Sequence, residues 1–350
     1  MSRRFVLPIL FTVTVVSSGL AQSAIQGSVA TPVLTFLLDG NGGLHPVTGI
    51  AGSASVAPAL NLDFKISQLA VPANHDYVLA NTTNGLVLLR FQGAYVTTER
   101  IISAPVVAPG TPKQCSERKL DACVQDPSSF VGPSAIDKIA FSPSGSAAAL
   151  YSQSQGRIYL LSNLPQTSTW AATFDAAGLG QVLTLAISDD AQTVALGIES
   201  NDGDSIFMVT EKGQQAIGNV RHLAALQFLA HSSDAVVADD GSDTIDRIAN
   251  GQLYEIANAS DGISQPMALA SSNDNLKLFV ANARTSSVTT LLLSGGQPQS
   301  TVCRCEMTGL YPTASDSVFR LSDFSGGPVV ILDASGAVPR VVFVPIAAKF

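Results

Sequence analysis

The chain has 350 residues, of which 46% are hydrophobic and only 13% are charged, and its formal net charge is −8 at pH 7. Such an acidic chain lacks the basic stripe that neutralises phosphates, which excludes a nucleic-acid partner, and it has no electrostatic attraction to an anionic membrane. Its length exceeds what one hydrophobic core usually supports, yet no long linker or change of composition divides it into two domains.

The N-terminus predicts an export signal. Arg3-Arg4 gives a positive start, residues 5–16 form an apolar run, and residues 19–21 form a small-residue cleavage site. The apolar run is shorter than the roughly 20 residues that a membrane-spanning helix needs. We therefore predict a signal peptide over residues 1–21 and a single domain over residues 22–350. The mature protein is expected to be secreted or periplasmic, monomeric and without a membrane span.

Residues 32–49 predict a β-hairpin. Two apolar runs, residues 33–38 and 44–50, flank the turn sequence DGNGG, whose residues adopt positive φ at little cost. The hairpin stands apart from the repeats that follow it.

From residue 66 onward the chain repeats one pattern of short strands. Residues 136–163 show it most clearly: the apolar runs 136–141, 147–151 and 158–161 are separated by the turns SPSG and SQSQG. The apolar residues at the middle of each first strand recur at intervals of 70, 46, 41, 43 and 41 residues; they are Leu69, Ile139, Leu185, Leu226, Leu269 and Leu310. A period of roughly 40 to 50 residues is typical of propeller blades. The predicted fold class is therefore all-β, a β-propeller of four-stranded antiparallel blades.

The number of blades depends on the N-terminal hairpin. Six full repeats and one hairpin allow six blades with an accessory hairpin or seven blades, and we favour seven. In that arrangement the hairpin is expected to supply the outer two strands of a blade, and residues 52–64 the inner two. One chain terminus would then complete the blade that the other begins.

Four cysteines suit an exported chain, where disulfides form and persist. Cys115 and Cys123 lie in a loop inserted at residues 103–134, which explains the long first interval, and we predict a bridge between them. Cys303 and Cys305 are two residues apart. They could join each other, cross-link elsewhere, or take part in a four-cysteine zinc site, although CxC is not the usual zinc spacing.

Two short motifs carry a resemblance to known propellers. Residues 279–282, FVAN, followed by residues 286–289, SSVT, resemble the YVTN-type repeat of bacterial secreted β-propellers, and residues 141–145, FSPSG, are similar to the FSPDG turn of WD40-like and TolB-like propellers. Some lactonase-like relatives of these proteins are hydrolases and others bind haem, quinone or metal. The resemblance thus implies the fold and leaves the activity open, because the sequence contains no CxxCH, HExxH or GxSxG motif.

Acidic residues concentrate in the turns that follow second strands. In an up-and-down blade, the loops after the second and fourth strands emerge on the same face, so these turns and the inserted loop should share one face. Carboxylates converging there could hold calcium or a cationic ligand, although Asp and Gly are also ordinary turn residues. The candidate ligand-binding residues are Glu199, Asp202, Asp204, Asp239, Asp240, Asp243 and Arg284.

These observations favour a binding or protein-interaction module with its site on a loop face, taking a protein or a small molecule as ligand. We predict no catalytic residue and no cofactor other than calcium at these carboxylates. The alternative function is a lactonase-like or metal-assisted hydrolase that uses the acidic loop residues. A surface-associated repeat protein without a dedicated ligand is a third hypothesis.

Overall fold

In a computed structural model, the described residues fold into short β-strands, with 3-10 helices at Ala51–Ser53 and Ala259–Asp261. The structure describes residues 32–73, 77–83, 85–92, 95–101, 135–324 and 327–346. The predicted signal peptide, the inserted loop and the Cys115–Cys123 bridge lie outside the described residues. Thr31–Phe350 forms one compact unit. In the ranges given above, no helix has the length and apolar character needed to cross a bilayer.

Seven sheets follow one another along the chain, and the strands of each sheet pair in chain order. We number the sheets as blades 1 to 7. Blade 1 has three strands, β1 (Val33–Leu38), β2 (Leu44–Thr48) and β3 (Ser55–Val56). Blade 2 consists of β4 (Ile66–Ala70), β5 (Tyr77–Thr82), β6 (Gly85–Gln92) and β7 (Tyr95–Arg100). Blade 3 consists of β8 (Lys138–Phe141), β9 (Ala148–Ser152), β10 (Arg157–Ser162) and β11 (Thr169–Asp175). Blade 4 consists of β12 (Val182–Ile187), β13 (Val194–Ile198), β14 (Asp204–Thr210) and β15 (Gly213–Val220). Blade 5 consists of β16 (Leu223–Phe228), β17 (Ala235–Asp239), β18 (Thr244–Ala249) and β19 (Gln252–Ala257). Blade 6 consists of β20 (Pro266–Ser271), β21 (Lys277–Asn282), β22 (Ser287–Leu292) and β23 (Gln299–Val302). Blade 7 consists of β24 (Tyr311–Pro312), β25 (Val318–Arg320), β26 (Val329–Asp333) and β27 (Arg340–Val344).

Turn chemistry sets the shape of blade 3. Gly145 closes the SPSG turn with φ of 72°, and its N–H donates to the Ser142 carbonyl at 2.9 Å. Gly156 closes the SQSQG turn with φ of 59°. Between these turns, all five residues of β9 are buried. A strand buried on both faces needs a neighbouring sheet on each side, which explains why the pattern is repeated.

The ring of blades is closed. Seven clusters of buried apolar residues each join two blades that follow one another, and the last cluster packs Leu37 and Val47 of blade 1 against Val329 and Ile331 of blade 7. Burying one such side chain stabilises the fold by about 1.5–3 kcal/mol. The predicted all-β propeller with seven blades is therefore confirmed.

Blade 1 differs from the prediction in its strand order. β1 lines the central channel, β2 follows it, and β3 lies farther out, extended by the hydrogen bond from Leu60 N to the Leu44 carbonyl at 2.8 Å. The prediction that residues 52–64 supply inner strands is therefore wrong; they add to the outer side of the hairpin. The two ends of the described chain meet there, because Val56 N donates to the Pro345 carbonyl at 3.3 Å and Val56 forms a parallel bridge with Ile346.

Cys303 and Cys305 form a disulfide with each other, with their Cα atoms 5.1 Å apart. The pair follows the last strand of blade 6 and precedes the first strand of blade 7. This is the first of the alternatives that the spacing left open.

Candidate functional site

The loops form two faces of the ring. The side that carries the turns between second and third strands, such as residues 240–243, and the connections between blades is called the second-turn face. The first-turn face carries the turns between first and second strands, such as residues 188–193. The two faces are on opposite ends of the strands because each blade is an antiparallel meander.

On the second-turn face, two of the predicted ligand residues are buried and bonded to backbone. Asp239 is 4% exposed, and its carboxylate accepts hydrogen bonds from the N–H groups of Arg221 at 2.8 Å and His222 at 2.9 Å. Asp204 accepts from Leu223 N at 2.7 Å. These carboxylates hold the connection between blades 4 and 5 in place, which uses lone pairs that a ligand would otherwise take.

Asp243 and Arg284 form a second link, between blades 5 and 6. One carboxylate oxygen of Asp243 accepts from Gln265 N at 2.5 Å, and the other accepts from Nη1 of Arg284 at 3.1 Å. Arg284 remains largely exposed. The exposed pair contributes little to stability, but it shows that acidic and basic candidates on this face are neighbours.

Asp240 pairs with an exposed histidine that the sequence did not single out as a site residue. His222 Nδ1 is hydrogen-bonded to the Asp240 carboxylate, and 65% of the His222 side chain is exposed. The hydrogen bond to Asp240 raises the pKa of His222 above its usual value, against the opposing effect of burial. The sequence signal for this pair was weak, since the two residues are 18 positions apart and join only through strand pairing.

Glu199 and Asp202 are exposed, and neither side chain makes a hydrogen bond or ion pair with the described residues. Across the described ranges no group of three or more His, Cys, Asp or Glu residues has an arrangement that could hold a metal ion. The structure thus places the seven candidates on one face, where Asp243 and Arg284 are the two that contact each other. The basic residues of the inserted loop, Lys113, Arg118 and Lys119, lie outside the described residues.

The first-turn face is tied together by loop-to-loop hydrogen bonds. The carboxylate of Asp189 accepts from Ser144 N at 2.7 Å and from His231 N at 2.8 Å, which joins blade 4 to blades 3 and 5. Asn275 continues the series, because its side chain accepts from Ala230 N at 3.0 Å. Burial alone would raise the pKa of Asp189, but these hydrogen bonds outweigh it and hold that pKa below its usual value.

A cavity of about 840 Å³ occupies the centre of the ring. Residues of the first strands form much of its wall, and it extends from Asp323, in the second turn of blade 7, to Pro72 and Pro143, in the first turns of blades 2 and 3. Its volume falls within the range of small-molecule sites, about 300–1,000 Å³. None of the seven predicted ligand residues is among the described residues that line the cavity.

Two buried polar atoms without hydrogen-bond partners belong to residues that line this cavity: Nε of Arg320 and Oε1 of Gln227. Buried polar groups are nearly always paired, so each such exception calls for an explanation. Sequence reasoning missed both residues, because a single polar residue in or at the end of a short strand gives no indication that it lines a channel.

No protein-family profile matches this sequence, and no curated protein sequence is similar to it. Solved structures are similar in fold. A functionally unknown protein from Desulfotomaculum acetoxidans is 12% identical, with a TM-score of 0.59 over 90% of this chain and 100% of that one. A catalytically inactive virginiamycin B lyase from Staphylococcus aureus, solved with quinupristin, is 12% identical, with a TM-score of 0.50 over 83% of this chain and 88% of that one. Identities this low support the shared fold alone.

Proposed function

We propose that this protein is an exported binding module that takes a small-molecule ligand in its central channel. The observation that carries the proposal is the 840 Å³ cavity, whose mainly apolar wall includes two residues with a buried polar atom that has no partner, Arg320 and Gln227. Sites of that composition are typical of small-molecule binding, since the apolar wall provides affinity and the few polar groups fix orientation. The second-turn face, with exposed Glu199 and Asp202, then forms the rim around this site or a contact surface for a protein.

The localisation and family parts of the proposal rest on sequence. The export signal over residues 1–21 and the YVTN-type resemblance at residues 279–289 support a secreted or periplasmic propeller that acts as a monomer. Edman or mass-spectrometric analysis of the mature N-terminus tests this part. A mature chain that still begins upstream of residue 22 would contradict it.

Filling the channel tests the binding site. Ala70 lines the cavity, is partly exposed and takes no part in the apolar clusters between blades, so Ala70→Phe should narrow the channel without disturbing a blade junction. Ala216 is exposed on the outer strand of blade 4, and Ala216→Phe makes the same chemical change on the outer side of the ring, away from the cavity. In a thermal-shift screen of small molecules, ligands of the wild-type protein should be lost with Ala70→Phe and kept with Ala216→Phe. Ligands that bind both variants equally would place the site elsewhere.

Hydrolysis at the second-turn face is the second candidate function, and the His222–Asp240 pair favours it. A carboxylate that orients a histidine and raises its pKa is one half of a general-base arrangement. Turnover of small esters or lactones by the purified protein, lost in His222→Gln and kept in Arg284→Gln, would support this function. Absence of turnover with protein purified without chelator and supplied with calcium would remove it.

A further inference from the structure

Arg320 is a cation held rigidly in the wall of the central cavity. It ends the second strand of blade 7, and only 11% of its side chain is exposed. Its guanidinium carbon lies 3.8 Å from the ring centroid of Tyr311, its partner in strand pairing. Nη1 donates to the Ser322 carbonyl at 2.6 Å and to the Asp323 carboxylate at 3.0 Å. The stacking and the two hydrogen bonds fix the plane of the guanidinium group.

The opposite edge of this guanidinium group is unused. Nε is buried without a hydrogen-bond partner, and Nη2 donates to no group in the described ranges. These two nitrogens form the fork that binds both oxygens of a carboxylate through parallel hydrogen bonds. A cation that is preorganised and only half paired is an incomplete site in need of an acceptor.

The acidic side chains near Arg320 do not fill this edge. Asp323 reaches Arg320 through a single oxygen on Nη1, and 61% of its side chain is exposed. Asp39, the other acid in the cavity lining, accepts hydrogen bonds from Asn41 N and Gly43 N and pairs with His45. Among the described residues, the lining thus contains one arginine with an unpaired guanidinium edge and no carboxylate that occupies that edge.

The rest of the wall determines what kind of molecule could bring that carboxylate. Most of the side chains that the first strands contribute are apolar, including Leu69, Ile139, Leu226, Leu269 and Leu310. Such a wall favours an apolar body, since desolvating polar groups without partners is unfavourable. Gln227, with its unpartnered Oε1, offers one further contact to an N–H or O–H group of a ligand.

We infer that the channel ligand is a small organic carboxylate with an apolar body, whose carboxylate binds Nε and Nη2 of Arg320. This inference rests on the proposed function, because it names the ligand class of the same cavity. Binding completes the hydrogen bonding of Arg320 and leaves Asp323 free to stay on Nη1 or to move into solvent.

The test is isothermal titration of the mature protein with three probes of similar shape: 3-phenylpropionate, 3-phenylpropionamide and 2-phenylethyl phosphate. We expect the carboxylate to bind at least tenfold more tightly than the amide, which is the size of effect that a charge-assisted pair gives. Arg320→Gln should reduce carboxylate affinity to that of the amide. Arg304→Gln removes an exposed arginine outside the cavity and should leave all affinities unchanged.

Asp323→Asn is a second variant, which tests the inference if Arg320→Gln fails to fold. Asp323 is exposed, so its replacement should preserve the fold, and loss of its negative charge beside Arg320 should raise affinity for 3-phenylpropionate several-fold. Equal affinities of the wild-type protein for acid and amide would overturn the inference and leave the channel proposal standing. Tighter binding of the phosphate would overturn the choice of carboxylate. Binding of none of the probes, or binding that survives Ala70→Phe, would overturn the channel proposal together with the inference.

Discussion

The carboxylate of Asp239 decides whether the acidic loops are structural or available to ligands. It accepts four backbone N–H groups: those of Arg221 and His222 in the connection from blade 4, at 2.8 and 2.9 Å, and those of Gly241 and Ser242 in its own turn, at 3.0 and 3.2 Å. We expect Asp239→Ala to destabilise the protein, because the four donors lose a charged acceptor at a residue that is only 4% exposed.

The magnitude follows from the two hydrogen bonds that cross to the connection. A hydrogen bond to a charged group contributes about 1.5–3 kcal/mol, and water can replace the bonds within the exposed turn, so two lost bonds give about 3–6 kcal/mol. For a domain of this size, each kcal/mol lowers Tm by about 2 °C, which predicts a decrease of about 6–12 °C. Asp239→Asn keeps the oxygen that accepts from His222, Gly241 and Ser242 but turns an NH2 group towards Arg221 N, so it should cost about 1–2 kcal/mol.

Urea unfolding followed by circular dichroism measures these differences. Asp202→Ala is the matched control, because Asp202 is exposed in the corresponding turn of blade 4 and makes no bond to the described residues, so its change should stay within about 0.5 kcal/mol. If Asp239→Ala and Asp202→Ala unfold at the same urea concentration, the interpretation of Asp239 as a tie between blades is refuted. Its carboxylate would then be free for a ligand, as the sequence suggested.

Three further predictions concern titration and the disulfide. An NMR titration should give His222 a pKa above its usual 6.5, and Asp240→Asn should return it towards that value; an unchanged pKa in the variant would contradict the pairing. The pKa of Asp189 is lowered in the folded state, so its contribution to stability is present above the unfolded-state pKa, about 3.9, and is lost as pH falls through the lower folded-state pKa. Asp189→Asn should therefore weaken the decrease of the unfolding free energy in acid. An unchanged decrease in acid would refute the assignment. Peptide mapping without reductant should recover Cys303 and Cys305 bonded to each other, and recovery of either cysteine in another bridge would contradict the pairing. Replacing both with Ser should lower the free energy of unfolding by less than about 2 kcal/mol, because the loop that they close is short.

The repeating fold was predictable because its signals are local. Apolar runs, SPSG-type turns and a period near 43 residues each act within one blade, and closing the ring then requires only that similar blades pack side by side. The exception is blade 1, where β3 has only two residues, Ser55–Val56, too few to show strand alternation. Its outer position is set by the pairing of Val56 with Val47 of β2 and with Ile346 near the other end of the described chain, which no local pattern reveals.

The site was less predictable because the channel takes residues from distant strands. The acidic turns attracted attention by composition, yet composition does not distinguish a free carboxylate such as Asp202 from one committed to backbone, such as Asp239. Arg320 gave no signal, since one arginine at the end of a short strand reads as a solvent-facing residue. Its burial results from the position of blade 7 beside the channel, which depends on all the other blades.

The contact between blades 4 and 5 offers a stringent test of ring packing at a single glycine. Gly197 lies in the second strand of blade 4, and a Cβ atom there would overlap Cδ2 of Leu223 in the first strand of blade 5. Gly197→Ala should therefore cost about 1–3 kcal/mol by overpacking, and Leu223→Ala about 2–5 kcal/mol by leaving a cavity. In the double variant the new methyl group enters the vacated space, so the combined loss should be smaller than the sum by about 1 kcal/mol or more.

Gly40→Ala is the control for this pair, because a Cβ atom at Gly40 meets nothing within 4 Å, and it should be nearly neutral alone and additive with Leu223→Ala. Additive losses for Gly197→Ala and Leu223→Ala in urea unfolding would mean that the two strands are not in close contact. The packing of Leu223 in blade 5 against Gly197 in blade 4 would then be looser than the structure describes. Non-additivity would instead show that a residue without a side chain is required where the second strand of one blade meets the first strand of the next.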